Sequence, residues 1–505
     1  MASKSRVALL AIDQGTTSTR VILFSDSGEL LFVRQKELTL LCPQKGWVEQ
    51  DPEAIWSDTL QISREVIRDA QRADLTIVAI GIANQRETTL IWDRKTGRPV
   101  YNAIVWQDRR TTEDCEKLKN AGHEQRIVEK TGLRIDPYFS ATKIAWILDH
   151  VPGVRSRAEK GDLAFGTIDT FLLWRLTGGK VHATDITNAS RTMLYDIVNQ
   201  QWDDDLIRLF NIPTAVLPDV KANAADFGQT VPGLLDASYV VGGMAGDQHA
   251  ALIGQACFES GMIKATYGTG CFALMNIGTD FAASRNKLIT TVGYCINGDT
   301  HYAVEGSIFN AGAAIQWLRD NLGLLVDAQQ SEAVALSVPD SNEVYFVPAF
   351  TGLGTPYWQP LARAAITGLS RESHSAHIIR AALEAQAYQS RDLMEAMVID
   401  RADCGSENWS SKNSVLRIDG GMTGNAFMCQ FLADMIDRVV EIPVVQESAA
   451  WGAAALAGLQ SNIFMDLTDI SSNWSCRRRY QPAMEPSKRH ALYAGWKNAV
   501  KRVLK

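Results

Sequence analysis

A hairpin pattern that occurs twice constrains this chain more than any other feature. Val7–Phe24 reads as two apolar, β-branched runs around a polar turn, Asp13-Gln-Gly-Thr-Thr-Ser18. Met262–Thr266, Tyr267-Gly-Thr-Gly270 and Cys271–Asn276 repeat strand, Gly/Thr turn, strand, with Gly15 and Gly268 separated by 253 residues. That spacing predicts an internal duplication with one such hairpin in each half. The turn has a definite chemistry. Gly15 lets a ligand approach the backbone closely. Successive N–H groups form a concave anion site, and Thr16, Thr17 and Ser18 add hydroxyl donors. Asp13 ends a buried strand, where a bare carboxylate is costly without a partner such as hydrated Mg²⁺. Two facing hairpins would grip a polyphosphate from both sides of a cleft.

The totals narrow the class. A chain of 505 residues is too long for one core, so two or three domains are expected. Its 50 basic and 57 acidic residues give a net charge of −7, which offers no basic footprint for nucleic acid. The eight cysteines are scattered without a Cys-x-x-Cys pair, so neither a zinc site nor a disulfide scaffold is expected and a reducing cytoplasm fits. The opening Met-Ala-Ser-Lys-Ser-Arg runs straight into the first strand, leaving no room for a signal peptide. No 18-residue uncharged apolar run marks a membrane span.

Taken in order, the pattern predicts strands at Val7–Ile12, Arg20–Phe24 and Leu30–Lys36, then a helix over Glu53–Arg72 started by Pro52. The apolar run Ile77–Ile82 is a buried strand ending in Asn84-Gln85-Arg86-Glu87, a cation and an acid at a strand end. Asn102–Trp106 is a short strand that delivers Trp106. Tyr138–Leu148 is an amphipathic helix start that Ser140 or Thr142 could cap, with Tyr138 ahead of the helix in a loop after Pro137. Tyr239–Gly246 is a Gly-rich strand that presents Asp247 and Gln248 before a helix over Ala250–Gln255, where a helix N-terminus attracts anions. Gly306–Gly323 reads as a loop entering a helix, and its small residues beside Gln316 suit a planar base. Ser375–Asp400 is a long helix, with His374 and His377 in surface roles at its start, followed by a polar loop over Arg401–Asn413. Val415–Ile418, Asp419-Gly-Gly421 and the apolar helix Ala426–Ile436 give the strand, Gly-Gly, helix arrangement of a nucleotide site. A basic amphipathic helix with Leu492, Trp496, Val500 and Val503 on one face ends the chain, docked onto its own domain.

Asp13-Gln-Gly-Thr-Thr-Ser, Asn84-Gln-Arg-Glu-Thr, Gly246-Asp-Gln, Tyr267-Gly-Thr-Gly-Cys-Phe and Asp419-Gly-Gly occur in this order over nearly the whole chain. Together they resemble the FGGY family of carbohydrate kinases, which shares the actin-like ATPase fold. Arg86-Glu87, Trp106, Tyr138 and Phe272 resemble the branch that phosphorylates glycerol. The resemblance implies two duplicated actin-like (ribonuclease H-like) α/β domains with a cleft between them, expected at residues 1–254 and 255–505. It implies that Arg86, Glu87, Tyr138, Asp247 and Gln248 bind glycerol hydroxyls and that Trp106 and Phe272 pack on its C–H edge. Thr16, Thr17, Ser18, Arg20 and Thr269 would hold ATP phosphates, and Gly312, Gln316, Gly421 and Asn425 would line the nucleoside. Asp247 would be the general base, with Mg²⁺ held through Asp13 and Asp247. A homo-oligomer, dimer or tetramer, is also implied.

Three controls found among such kinases find no match here. The segment Thr230–Val240 has no Lys or Arg for fructose 1,6-bisphosphate. Lys221–Gln229 has no His to phosphorylate, with Ala225 near that place. Lys488 stands roughly where a Glu would bind a sugar-transport protein.

Overall fold

The computed structural model describes residues 6–359, 361–403 and 415–504. Two large sheets carry the chain. The first has strands β1 (Arg6–Gln14), β2 (Ser18–Ser25), β3 (Leu30–Glu37), β4 (Leu75–Asn84) and β5 (Val240–Gly246), in the order β5-β4-β1-β2-β3. The second has β6 (Ile263–Tyr267), β7 (Cys271–Gly278), β8 (Ile289–Ile296), β9 (Asp299–Ile308), β10 (Leu416–Asp419), β11 (Val440–Pro443) and β12 (Cys476–Tyr480), in the order β8-β9-β7-β6-β10-β11-β12. In each, the first hairpin strand pairs antiparallel with the next and parallel with a strand from much later in the chain: β1 with β2 and β4, β6 with β7 and β10. A third strand extends the antiparallel side and another parallel strand the far side. One topology is therefore used twice, as the repeated hairpin predicts.

Around the sheets lie α1 (Pro52–Arg72), α2 (Ser140–His150), α3 (Asp247–Gly254), α4 (Gly312–Asp320), α5 (Ser375–Asp403), α6 (Ala426–Ile436), α7 (Ser448–Gln460) and α8 (Pro486–Val503). Helix α1 starts where Asp51 accepts the Glu53 N–H at 2.9 Å and Pro52 sets the first turn. Strand alternation divides the first sheet's apolar side chains between two covers. Leu10, Ile12 and Leu23 pack with Ile55, Ile62 and Val66 of α1. Leu9, Ala11, Ile22 and Phe24 pack with Ala450, Trp451 and Ala454 of α7, so a helix from late in the chain closes the earliest sheet. Helices α3 and α7 touch backbone to backbone. A Cβ on Gly254 would stand 2.0 Å from the Ser448 carbonyl oxygen, and one on Gly452 would stand 1.8 Å from that of Ala250. No other residue type permits that approach.

Several elements depart from their sequence reading. The polar turn is shorter than Asp13–Ser18: Asp13 and Gln14 belong to β1 and Ser18 to β2, because the ladder continues through Asp13↔Arg20 and Gln14↔Thr19. Strand Asn102–Trp106 reduces to Ala103–Ile104. Neither Ser140 nor Thr142 caps α2. The Ser140 hydroxyl donates to the Glu87 carbonyl at 3.1 Å, and Thr142 pairs with Thr111 at 2.8 Å. Helix α3 begins at Asp247 rather than Ala250, and Gly306–Ile308 belongs to β9 rather than to a loop. Helix α5 runs to Asp403, and residues 404–413 of the expected loop lie outside the described residues. Helix α8 docks as expected, with Trp496 fully buried and its indole N–H donating to Asp392 at 2.7 Å. The His374 N–H donates to His377 Nδ1 at 3.2 Å. No helix among the described residues is long and apolar enough to cross a membrane.

Candidate active site

The strand ends of the first sheet and the second hairpin bring the predicted polar residues together. Strand β4 ends at Asn84, and the next turns hold Arg86 and Glu87, both buried. Glu87 sits at φ +60°, a conformation that side-chain-bearing residues seldom adopt. Its carbonyl is held by the hydroxyls of Ser140 and Thr89 at 3.1 and 2.9 Å. Strand β5 runs parallel to β4 with Gly246 beside Asn84, so Asp247 at the start of α3 arrives next to Arg86. The Arg86 Nε lies 3.2 Å from Asp247 Oδ1, and its Nη2 donates to Tyr138 Oη at 3.4 Å. Asp247 keeps 31% side-chain exposure, whereas Arg86 keeps 3%. A part-exposed carboxylate is thus paired with a buried guanidinium.

An aromatic wall stands beside this pair. The Trp106 ring meets Tyr138 edge-on at 5.6 Å and Phe272 at 6.1 Å. The Trp106 indole N–H donates to Thr16 Oγ1 at 2.8 Å. Trp106 therefore ties the first hairpin, through Thr16, to the second, through Phe272. Buried Lys143 fixes the loop carrying Tyr138 by donating to the carbonyls of Pro137, Tyr138 and Phe139. Gln248 accepts from buried Lys264. The polyol-contacting set expected from the sequence, Arg86, Glu87, Trp106, Tyr138, Asp247, Gln248 and Phe272, forms one connected group.

Four ionisable residues that sequence reading passed over lie behind it. Arg191 donates to Glu87 at 2.6 Å and to Glu305 at 3.1 Å, and Glu305 also binds Arg86. Burial alone would raise the Glu305 carboxyl, yet Arg191 and Arg86 hold it down at about 2. Burial, with Arg86, Arg191 and Lys264 nearby, keeps His249 neutral, well below the usual imidazole range. The signal available was a lone ionisable residue inside an apolar run, as with Lys264 in β6 and Glu305 in β9.

The first hairpin presents Thr16 and Thr17 in its turn and Ser18 at the start of β2. Asp13 is pushed up to about 7, first by burial, against Arg20, with Asp247 and Glu447 adding to the rise. Arg20 reaches Glu447 at 2.6 Å, just before α7. In the second hairpin, the carbonyls of Gly268 and Thr269 accept N–H groups of Ala311, Gly312 and Ala313 at 2.8–3.1 Å. The hairpin turn is seated on the start of α4. A Cβ on Gly312 would stand 2.7 Å from the Gly268 oxygen. Next to this contact opens a cavity of about 690 Å³ lined by Thr269, Gly312, Gln316, Gly421 and Asn425, together with Gly268 and Leu383. Gly420, at φ +92°, makes the turn from β10 into that wall. Asn425 caps α6 by accepting the Met428 N–H at 2.8 Å, and its amide donates to Ser331 at 3.2 Å. All five residues expected around the nucleoside and its hairpin meet at one cavity.

The N-terminal domain profile of the FGGY family of carbohydrate kinases matches residues 8–254, and its C-terminal domain profile matches 263–461. The chain belongs to the FGGY family of carbohydrate kinases. Its two sheets are the duplicated actin-like halves of that family. This FGGY kinase is 59% identical over 496 residues to a protein of Nitrosomonas eutropha named glycerol kinase, covering 98% of each chain. It is 54% identical to glycerol kinase 1 of Pseudomonas aeruginosa, again over 98% of each chain. Among solved structures, it superposes on Plasmodium falciparum glycerol kinase with ADP at TM-score 0.92, with 36% identity and 99% of each chain covered.

Proposed function

We propose that this FGGY kinase transfers the γ-phosphoryl group of ATP to a primary hydroxyl of glycerol, giving sn-glycerol 3-phosphate and ADP for glycerol catabolism. One observation carries the reading: a part-exposed Asp247 carboxylate lies 3.2 Å from the buried Arg86 guanidinium, which also binds Tyr138 of the aromatic wall formed with Trp106 and Phe272. A small triol is a row of hydroxyls on a short hydrocarbon. Selecting it needs fixed donors and acceptors on one side and apolar rings on the other. Arg86, Glu87, Tyr138, Asp247 and Gln248 supply the first, and Trp106 and Phe272 the second. The glycerol kinase names of the relatives favour glycerol over other polyols.

In the reaction, Asp247 accepts the proton of the attacking hydroxyl as its oxygen bonds to the γ-phosphorus and the bond to ADP breaks. Thr16, Thr17, Ser18, Arg20 and Thr269 hold the phosphates. Gly312, Gln316, Gly421 and Asn425 line the nucleoside, for which a cavity of about 690 Å³ is ample. Arg20 reaches the phosphates by leaving Glu447. Mg²⁺ fits the donor set. Asp13 and Asp247 are hard oxygen ligands near enough for Asp247 to raise the Asp13 carboxyl, an excess of negative charge that a cation relieves. Among the described residues no group of three or more His, Cys, Asp or Glu side chains forms a cage, which suits an ion that keeps several waters. When bound, the ion supplies positive charge against the phosphate oxygens.

The same reading divides the chain at residue 254. Residues 1–254 bring the polyol site and first hairpin, and 255–505 the second hairpin and adenosine site. It places the enzyme in the cytoplasm as a homo-oligomer, dimer or tetramer. The deciding experiment incubates the purified full chain with Mg·ATP and, in turn, glycerol, a pentulose and a hexonate, following ADP and the phosphorylated product. Glycerol-dependent formation of glycerol phosphate is expected. Turnover of another acceptor alone would reassign the substrate. ADP release without a phosphorylated product would indicate a nucleotide switch.

A further inference from the structure

Two of the buried ionisable side chains behind the acceptor site, Glu305 and Arg191, form ion pairs with Arg86 and Glu87. Glu305 comes from β9 of the second sheet, and Arg191 from just after the short helix Ile186–Ala189. Arg191 and Glu305 are 0% and 1% exposed in their side chains. They join Arg86 and Glu87 in an alternating set of two cations and two anions.

The geometry gives Glu305 a directing task. Its Oε2 takes Arg86 Nη1, while its Oε1 takes Arg86 Nη2 at 3.2 Å and Arg191 Nη2 at 3.1 Å. Two contacts from one carboxylate fix the plane of the Arg86 guanidinium. That plane sends Nε to Asp247 and Nη2 to Tyr138. Arg191 holds Glu87 by a single contact. Its Nε binds Glu87 Oε1 at 2.6 Å, which leaves Oε2 outside the ion pair. Its guanidinium lies 5.7 and 5.3 Å from the ring centroids of Tyr138 and Phe139. Glu305, from the other sheet, thus holds Arg86 directly and Glu87 through Arg191.

We propose that Glu305 and Arg191 are positioning residues of the acceptor site, orienting Arg86 and Glu87 toward the substrate hydroxyls and making acceptor recognition depend on contact between the two halves. The inference rests on the acceptor site proposed above. A buried ion cluster can also serve the fold alone, since removing one partner leaves an uncompensated charge. The two roles separate in their kinetics. Positioning is read in the acceptor KM and kcat, and a purely structural role in thermal stability with unchanged constants in the folded fraction.

The test uses the full chain and the variants Glu305→Gln, Glu305→Asp and Arg191→Lys. Glycerol kinetics, ADP affinity by calorimetry and thermal midpoints are measured for each. Glu305→Gln is expected to raise the glycerol KM at least tenfold and lower kcat, with ADP affinity within twofold of wild type. Glu305→Asp and Arg191→Lys keep the charge but not the two-point contact, so an intermediate rise of threefold or more is expected. These two decide the matter if Glu305→Gln does not fold. Glycerol KM and kcat within twofold of wild type in both charge-retaining variants would overturn the inference. Absence of glycerol phosphorylation by wild type would instead overturn the function it rests on.

Discussion

The proposed acceptor end and the proposed nucleotide end of the cleft are built from opposite materials. The acceptor end is made of long side chains, Arg86, Glu87, Arg191 and Glu305, buried and locked by ion pairs up to 219 residues apart in sequence. The nucleotide end is made of backbone and small residues: Gly268, Gly312, Gly421 and Gly424 around an open cavity. The difference follows from what each must bind. A small polyol offers little surface, so discrimination comes from a few groups held at fixed positions. A nucleotide offers a large planar and anionic surface, and close backbone approach with N–H groups is enough. One end is sensitive to charge and direction, the other to volume.

The largest break in that contrast lies at Asp247. Asp247→Asn keeps the size and most hydrogen bonding of the side chain but cannot take the proton. Turnover should fall by about 10²–10⁴. Glycerol and ADP affinities, measured by calorimetry, should stay within a few-fold. Near-normal turnover would remove Asp247 as the base.

A second effect of similar size concerns stability rather than rate. The Glu305 carboxyl is held at about 2, against an ordinary 4.5, by Arg191 and Arg86 overcoming its burial. Its folded-state value lies below the unfolded one, so the folded state binds fewer protons between the two. The stabilisation is fully present above about pH 4.5 and is lost as pH falls toward 2. The shift corresponds to about 3 kcal/mol. Chemical denaturation at several pH values between 5 and 2.5 should show this loss in wild type. In Glu305→Gln the acid limb should be shallower. Equal slopes would mean that the ion cluster is not a source of acid sensitivity.

The nucleotide end should respond to bulk. Gly312→Ala places a methyl 2.7 Å from the Gly268 oxygen, so the second hairpin must shift away from α4. The KM for ATP is expected to rise about tenfold, equivalent to about 1.4 kcal/mol. The KM for glycerol should hardly move. An equal change in both constants would mean that the two ends are not separable as described.

How much of this was legible in the sequence depends on where the information lies. The hairpins, Arg86-Glu87, Asp247-Gln248 and the Gly-Gly turn at Gly420 are local strings at strand ends, and their polar clustering between apolar runs marks them without a structure. The duplicated topology was legible because the hairpin itself recurs. Glu305 and Arg191 were not, because their meaning is a pairing: Glu305 is the one acid in the inner half of β9, from Tyr302 to Ile308, and its partners lie 219 and 114 residues away. Helix starts failed for a related reason. Ser140 looks like a cap by local pattern, but the Glu87 carbonyl, brought by the fold, takes its hydroxyl. The strands beside the first turn outran their expected ends because ladder pairing, rather than residue type, carried them through Asp13 and Ser18.

The smallest expected effect tests the one cationic side chain assigned to the nucleotide end. Arg20 lies 2.6 Å from Glu447, with both side chains about a third exposed. At that exposure the pair is worth at most about 1 kcal/mol, because water screens the charges and ordering two side chains costs entropy. If Arg20 must leave Glu447 to meet a phosphate, that modest energy is subtracted from ATP binding. Glu447→Gln should therefore lower the KM for ATP about two- to fivefold. The thermal midpoint should shift by no more than about 2–4 °C. The glycerol KM should not change, since the pair lies outside the acceptor network. A raised KM for ATP would mean that Glu447 holds Arg20 ready for the phosphate rather than competing with it, and the nucleotide end would then share the fixed-charge design of the acceptor end.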